Sequence, residues 1–373
     1  MLRFLTAGES HGPSLTAILE GMPSGVRLDP VVLQREMRRR QLGYGRGPRM
    51  QFETDTVEFV GGVRRGKTLG SPVALSIKNK DASIDRLPAV TRPRPGHADL
   101  AGAIKYDHRD IRNVLERASA RETAARVAVG AVCKQLLSAL GIELASHVVA
   151  LGSVRAKPSA AGIARIRRAD ATPLRCLDAA ATKRMVREID ACVKAGDTLG
   201  GIFEVLAEGV PPGLGSHVHY DRRLDAILGR AVLSIHAVKA VEIGDGVLAA
   251  SLHGSKVQDE IFYSKAKGFH RSQNRAGGFE GGMTTGQPII VRGFLKPLST
   301  LRKPLRSVEI NSKRPVVATV ERSDVTTVPA AGVVGEAMVA FELARAVLEK
   351  FGSDSLKELQ RNHRNYLQQV RSF

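Results

Sequence analysis

The sequence predicts a mixed chain of helices and short strands, of the α+β class. Three observations carry that reading. One long apolar-periodic run, residues 119–140, opens on a capping box made by Ser119 and Glu122 and closes at Gly141. Residues 201–330 break into short strand-like runs separated by glycine-rich turns, as in 277–286. The chain holds no G-x-G-x-x-G and no G-x-x-x-x-G-K-[ST], so a Rossmann dinucleotide site and a P-loop are both unsupported.

The elements follow in order. Residues 2–6 and 15–20 read as strands around a Gly-Glu-Ser-His-Gly turn. Asp29 is an N-cap and Pro30 a first helical residue. That helix runs to about Gln41, with Leu33 and Met37 on one face and Gly43 just past its end. Residues 57–63 and 73–77 read as strands. Residues 91–99, TRPRPGHAD, exclude a helix, because two prolines and a glycine break it. After the 119–140 helix, helices are expected at 183–194 and 335–351. Strands are expected at 202–206, 247–252, 288–293 and 316–320.

Composition narrows the function. Of 373 residues 43% are hydrophobic, enough to build a core, so global disorder is excluded. The formal charge of +19 requires anions. Nucleic acid, a membrane surface, acidic partners and multiply charged small ligands all qualify. Aromatics are 4% with no Trp, which speaks against base stacking on single strands. Three cysteines, Cys133, Cys176 and Cys192, make neither a disulfide framework nor a zinc site. No run of about 18 apolar residues exists, and the N-terminus lacks a signal sequence. A soluble, cytoplasmic protein with no metal is the expectation.

Four segments carry polar chemistry. Gly8-Glu9-Ser10-His11-Gly12 formally matches the G-x-S-x-G elbow of serine hydrolases, but a strand rather than a helix is expected after it. Its other readings are a plain glycine-bounded turn, or a His held as general acid or base. The 35–49 segment gathers Arg35, Arg38, Arg39, Arg40, Arg46 and Arg49 against one acid, Glu36. Arginine forks match phosphate and carboxylate, and the glycine-rich loop adds backbone donors; the plain alternative is a solvated basic face. In Arg92–Asp99 the prolines fix where His97 points, beside two guanidiniums. At Arg117–Thr123 a helix start is flanked by Arg117 and Arg121, a ready anion site; the plain alternative is that Ser119 and Glu122 only cap the helix, and both can hold. Glu321-Arg322-Ser323-Asp324 alone reads as an ordinary turn.

Taken together, these segments resemble the chorismate synthase family across essentially the whole chain. The resemblance rests on TAGESHG (6–12), RRRQLGYGRGPRM (38–50), RPRPGHADLAGAIKY (92–106), RNVLERASARETAARVA (112–128), SIHAVKAVEIGDG (234–246), NRAGGFEGGMTTG (274–286) and ERSDVTTVPAAGVVGEAM (321–338). It implies one domain over 1–373, with a helical core sandwiched between antiparallel sheets, in a homotetramer. It implies a lyase of the shikimate pathway that needs reduced FMN. The substrate is 5-enolpyruvylshikimate 3-phosphate and the products are chorismate and phosphate. No nucleic acid and no membrane are expected to take part, and an external reductant is expected to reduce the flavin, since nothing resembles an added reductase domain.

The resemblance also implies residue roles. His11 is the acid for departing phosphate, His97 the His near flavin N1, and Asp324 the carboxylate working at the C6 hydrogen. Ser10, Arg40, Arg46, Arg49, Ser119 and Arg121 are substrate positions. Arg117, Ala118, Ser119, His236, Ala237, Gly281, Lys296, Pro297, Leu298, Ser299, Thr300 and Arg322 are FMN positions. A reduced nicotinamide cofactor (NADPH) is described for some members near the positions of Arg40 and Arg46; here those two are assigned to substrate. Two departures stand out: the usual Asn of the S-I-N-A block is His236, and the usual Gly after Lys239 is Ala240.

Overall fold

Alternating burial defines the first sheet. In β2 (Ser14–Glu20), Leu15, Ala17 and Leu19 are buried while Ile18 faces out. It pairs antiparallel with β1 (Arg3–Ala7) and with β4 (Val73–Lys78), and β3 (Val57–Gly61) closes the far edge of this four-stranded sheet. The second sheet has five strands: β5 (Glu143–Leu151), β6 (Val154–Arg155), β7 (Gly201–Glu208), β8 (Val238–Ile243) and β9 (Ile289–Leu295). Their order is β8-β9-β7-β5-β6, antiparallel throughout. These facts come from a computed structural model, which describes residues 1–47, 53–158, 162–303, 305–321 and 324–373.

Helices join the sheets. α1 (Pro30–Gln41) starts where expected, with the Asp29 carboxylate accepting the Val31 N–H at 2.8 Å. Farther along come α2 (Asp99–Tyr106) and α3 (Thr123–Ser138). Then follow α4 (Ala179–Ala195), α5 (Leu224–Leu233), α6 (Val328–Phe351) and α7 (Leu356–Ser372). α3 packs on β1, β2 and β4 of the first sheet, and α6 on β5, β7 and β9 of the second. The two helices pack on each other, which is why both are apolar nearly all round. Small residues permit this: a Cβ on Gly130 would stand 2.2 Å from that of Ala337. Likewise Phe203 fills the layer between α6 and its sheet, because Gly335 and Gly293 leave room for its ring. One buried apolar cluster runs from Leu2 to Leu359.

Several expectations need correction. Ser119 caps a 3₁₀ turn (Ala120–Glu122), and α3 begins only at Thr123. Its hydroxyl accepts the Arg121 N–H at 3.3 Å, while Glu122 turns away to Thr6 and Arg126 instead of completing a box. α6 starts at Val328, seven residues before the expected 335, with a proline in its first turn. Residues 247–252 do not form a strand. Glu242 accepts the Val247 N–H at 2.8 Å and nucleates a one-turn helix, Gly246–Ala249, whose Val247 and Leu248 are exposed. A short apolar run does not by itself distinguish strand from helix. α5, inside the region expected to be mostly strands, is a ten-residue helix. β5, flanked by β7 and the short β6, is not expected from the sequence; it is buried on both faces and shows no alternation.

Candidate active site

The Gly8–Gly12 turn runs from one strand into another, so it does not build a hydrolase elbow. It docks instead on residues 116–119. The Ser10 N–H donates to the Glu116 carbonyl (3.1 Å), and the Ser119 hydroxyl donates to the Ser10 hydroxyl (3.3 Å). His11 leans on the Glu116 carboxylate twice over. Its backbone N–H donates to Oε2 (2.8 Å), and Nδ1 lies 3.0 and 2.9 Å from the two oxygens. A carboxylate accepts, so Nδ1 carries the hydrogen and Nε2 faces the other way, 3.9 Å from Asp81. Burial works to raise the Glu116 carboxyl, but hydrogen bonds from His11 and Arg112 outweigh it and hold the group below its ordinary range.

The arginine run divides three ways. Arg35 and Arg38 are exposed. Arg39 turns into the core, where it meets Glu36, Asp170 and Glu336. Arg40 and Arg121 clamp the buried Asp55 from two sides, at 2.5 Å for Arg40. Arg46 approaches Asp324 at 2.9 Å, and the Gly47 N–H donates to the other oxygen of that carboxylate (2.5 Å). Arg121 Nε donates to Asn79, whose amide donates in turn to the carbonyls of Glu9 and Gly12. Helix α1, β3's lead-in and the His11 turn are thereby tied to one spot. Burial tends to raise the Asp55 carboxyl, but the two guanidiniums lower it. Burial and the neighbouring Arg40 lower Arg46, against the pull of Asp324. Among the described residues, Arg40 Nε, Arg46 Nε and Arg121 Nη2 are buried without a hydrogen-bond acceptor.

A second half surrounds His97. Its Nδ1 lies 2.5 Å from Asp99, the fully buried first residue of α2, and 3.1 Å from an Arg94 nitrogen. Arg94 forks onto Asp99 at 2.8 and 3.0 Å and reaches the Thr300 hydroxyl at 2.9 Å. Burial raises Asp99, yet His97 and Arg94 push it far below the usual carboxylate range. Lys296 donates to the Gly96 carbonyl (2.8 Å), and its N–H donates to the Ala237 carbonyl (3.0 Å). Desolvation and nearby Lys239 lower the Lys296 ammonium. Ser299 lies against Gly96, and the Leu298 carbonyl, next after Pro297, accepts from Thr198 at 2.7 Å. Arg117, just before Ala118, hydrogen-bonds the Thr6 and Gly8 carbonyls (2.8 and 3.1 Å), and both Arg117 and His97 act on the charge of His236, which thus links the two halves.

Most of the expected residues are thus brought together: His11 with Ser10 and Ser119, Arg40 with Arg46, Arg121 and Asp324, and His97 with the 296–300 stretch and Ala237. Gly281 is not in these contacts; it turns a separate small hairpin beside His217. Arg49 and Arg322 lie outside the described residues. Glu116, Asp55, Asn79 and Arg94 were missed as site residues. Glu116 sits inside a quoted block, and Arg94 was noted only as a neighbour of His97. Asp55 and Asn79 carry no local signal. Among the described residues no group of three or more His, Cys, Asp or Glu stands where a metal would be held, and no helix is long and apolar enough to cross a membrane.

Comparison with known proteins agrees with the residues. A family model described as chorismate synthase matches residues 2–348. The chorismate synthase of Symbiobacterium thermophilum is 56% identical over a 390-residue alignment that covers 99% of each chain. That of Geobacillus thermodenitrificans is 53% identical, covering 100% of both. A solved crystal structure of a chorismate synthase superposes with a TM-score of 0.83 at 44% identity, covering 100% of this chain and 99% of the other.

Proposed function

The chain belongs to the chorismate synthase family of lyases, and from that premise we propose that it eliminates phosphate from 5-enolpyruvylshikimate 3-phosphate with reduced FMN bound, giving chorismate in the shikimate pathway. One observation carries the substrate half. Three neighbouring guanidiniums, Arg40, Arg46 and Arg121, each keep a buried N–H with no acceptor. Buried donors are nearly always paired, so a guest with several anionic oxygens supplies what is missing.

The flavin half is supported by a different group of residues. His236 has a buried Nδ1 with no partner, and Lys296 is desolvated beside Lys239. A heteroaromatic ring with carbonyl acceptors and a phosphate tail fits that donor set. Arg117–Ser119, His236–Ala237 and Lys296–Thr300 are the residues that would hold it, together with Arg322. When bound, reduced FMN supplies electron density that eases loss of the allylic phosphate.

The remaining steps belong to the chain's own groups. His11, held by Glu116 through Nδ1, presents Nε2 to give a proton to phosphate as its charge develops. Arg40, Arg46, Arg121 and the Ser10–Ser119 hydroxyl pair orient the anionic groups, and Arg49 is assigned the same task. His97, steadied by Asp99 and Arg94, holds a proton at the flavin side. Asp324, fixed by Arg46 and Gly47, assists removal of the C6 hydrogen. The same reading carries an external flavin reductant, a homotetramer, a cytoplasmic location and no nucleic-acid partner. The continuous core supports a single domain over 1–373, and the α3–α6 pair between two antiparallel sheets supports a helical sandwich.

The test is anaerobic incubation of the purified protein with substrate, with and without reduced FMN, following phosphate release. Flavin-dependent release is expected. Absence of release in both arms removes the proposal.

A further inference from the structure

His236 stands where the two halves of the site meet. It lies in the turn between α5 and β8, just before Ala237, whose φ of +66° is left-handed and unusual for a residue with a side chain. The Lys296 N–H holds the Ala237 carbonyl at 3.0 Å, so this strained turn is fixed rather than loose. Its imidazole Nδ1 is buried and has no hydrogen-bond partner.

Charged groups face this imidazole from every side. Glu122 and Arg126 approach from the start of α3, Arg117 from the segment before it, and His97 from the proline loop. Lys239 lies on β8 just after the turn, and Lys296 follows the neighbouring strand β9. The first three are spoken for. Arg126 donates to Glu122 (2.8 Å) and to the Ser234 hydroxyl (2.8 Å). The Thr6 hydroxyl donates to Glu122 (2.8 Å), and Arg117 donates to that hydroxyl (2.7 Å). Glu122, the only acid among them, is therefore already satisfied and does not supply an acceptor for His236.

Protonating Nδ1 here would create a buried N–H among cations with nothing to receive it. Desolvation first, and then Arg126, His97 and Arg117, lower the His236 pKa from its ordinary 6.5 against the pull of Glu122, so the surroundings disfavour the protonated ring. The missing element is a buried acceptor with negative charge. A reduced isoalloxazine that has given up its N1 proton would be such an acceptor, with its charge shared onto a carbonyl oxygen; the oxidised ring, neutral, would be a weaker one.

We propose that His236 takes up a proton from solvent when reduced flavin binds, so that the site prefers the reduced over the oxidised coenzyme and holds it more tightly as pH falls. One proton moves from water to Nδ1, and no electron is transferred. The proposal rests on the flavin reading above.

The experiment is anaerobic calorimetry of the full chain with reduced and with oxidised FMN. It is run at about pH 6 and about pH 7.5, in buffers of differing ionisation heat. The wild type is expected to take up more protons with reduced than with oxidised FMN. Its affinity for the reduced form should rise about threefold to tenfold toward the lower pH, beyond any rise seen in His236→Asn. The variant should still bind flavin and lose the extra uptake. Equal proton uptake in wild type and variant overturns the proposal and leaves the flavin reading standing. Failure of the wild type to bind either form removes both. Should the variant not fold, the histidine NMR titration of the wild type decides instead. The His236 pKa must rise when reduced FMN is added, and an unmoved value overturns the proposal.

Discussion

Replacing His11 by Ala lowers turnover about 10²–10⁴-fold, the range for a lost acid–base group. The fold should survive the change. Glu116, left behind in the core, keeps Arg112 at 3.2 Å and so is not stranded as an unpaired charge. His97→Ala is expected to fall in the same range, since Asp99 likewise keeps its fork to Arg94. The check is single-turnover phosphate release beside a thermal melt of each variant. Near-wild-type rates in both would remove the assigned roles, whereas slow rates with collapsed melting would point to lost structure.

The second large effect lies in stability. Glu336, fully buried on α6, receives Arg39 at 2.7 and 2.9 Å, Arg175 at 3.1 Å, the Ser146 hydroxyl at 2.6 Å, and Lys134. Glu336→Ala leaves three cations buried with only Glu36 and Asp170 to share. Breaking a buried charge network on one side costs about 3–5 kcal/mol, and this one ties α1, α3, β5 and α6 together. Urea unfolding should show the loss as a lower midpoint; a change under about 1 kcal/mol would mean that water or rearranged partners replace the carboxylate. Burial raises this carboxyl, but Arg39, Lys134 and Arg175 bring it well below its ordinary 4.5. The sign follows. The network's contribution is complete above about pH 4.5 and drains away as pH falls through the lower folded value.

What the sequence disclosed followed from local rules. The Asp29-Pro30 start of α1 was legible because a cap and a first-turn proline act within four residues. The 91–99 loop was legible because two prolines and a glycine within a few residues break any helix interior. β5 was not, because a strand covered on both faces loses the alternation that marks one. The 247–252 segment misled because its helical turn is set by Glu242, a side chain on the preceding strand. At the site, His11, His97 and the arginines stood out by type and by their blocks. Their partners did not. Asp55 meets Arg121 across 66 positions, and Asn79 meets Glu9 across 70, pairings that only the folded sheet creates. The arginine run also looked uniform in sequence, although adjacent Arg39 and Arg40 part ways, one to Glu36, Asp170 and Glu336 in the core and the other to Asp55.

The clamp on Asp55 has a consequence for how a guest arrives. Arg40, Arg46 and Arg121 are matched by Asp55, Glu53 and Asp324, so the cradle is close to charge-balanced. Under the proposed function such a cradle is expected to grip at short range but to draw little from afar. Long-range capture therefore falls to the surface excess of the +19 chain, which ions in solution screen over about 10 Å at 0.1 M. Stopped-flow encounter rates should drop steeply as salt is added while the departure rate stays nearly constant, since the dry inner contacts feel the ionic atmosphere far less. A departure rate that climbed with salt as fast as encounter slowed would place the grip on the exposed basic face instead.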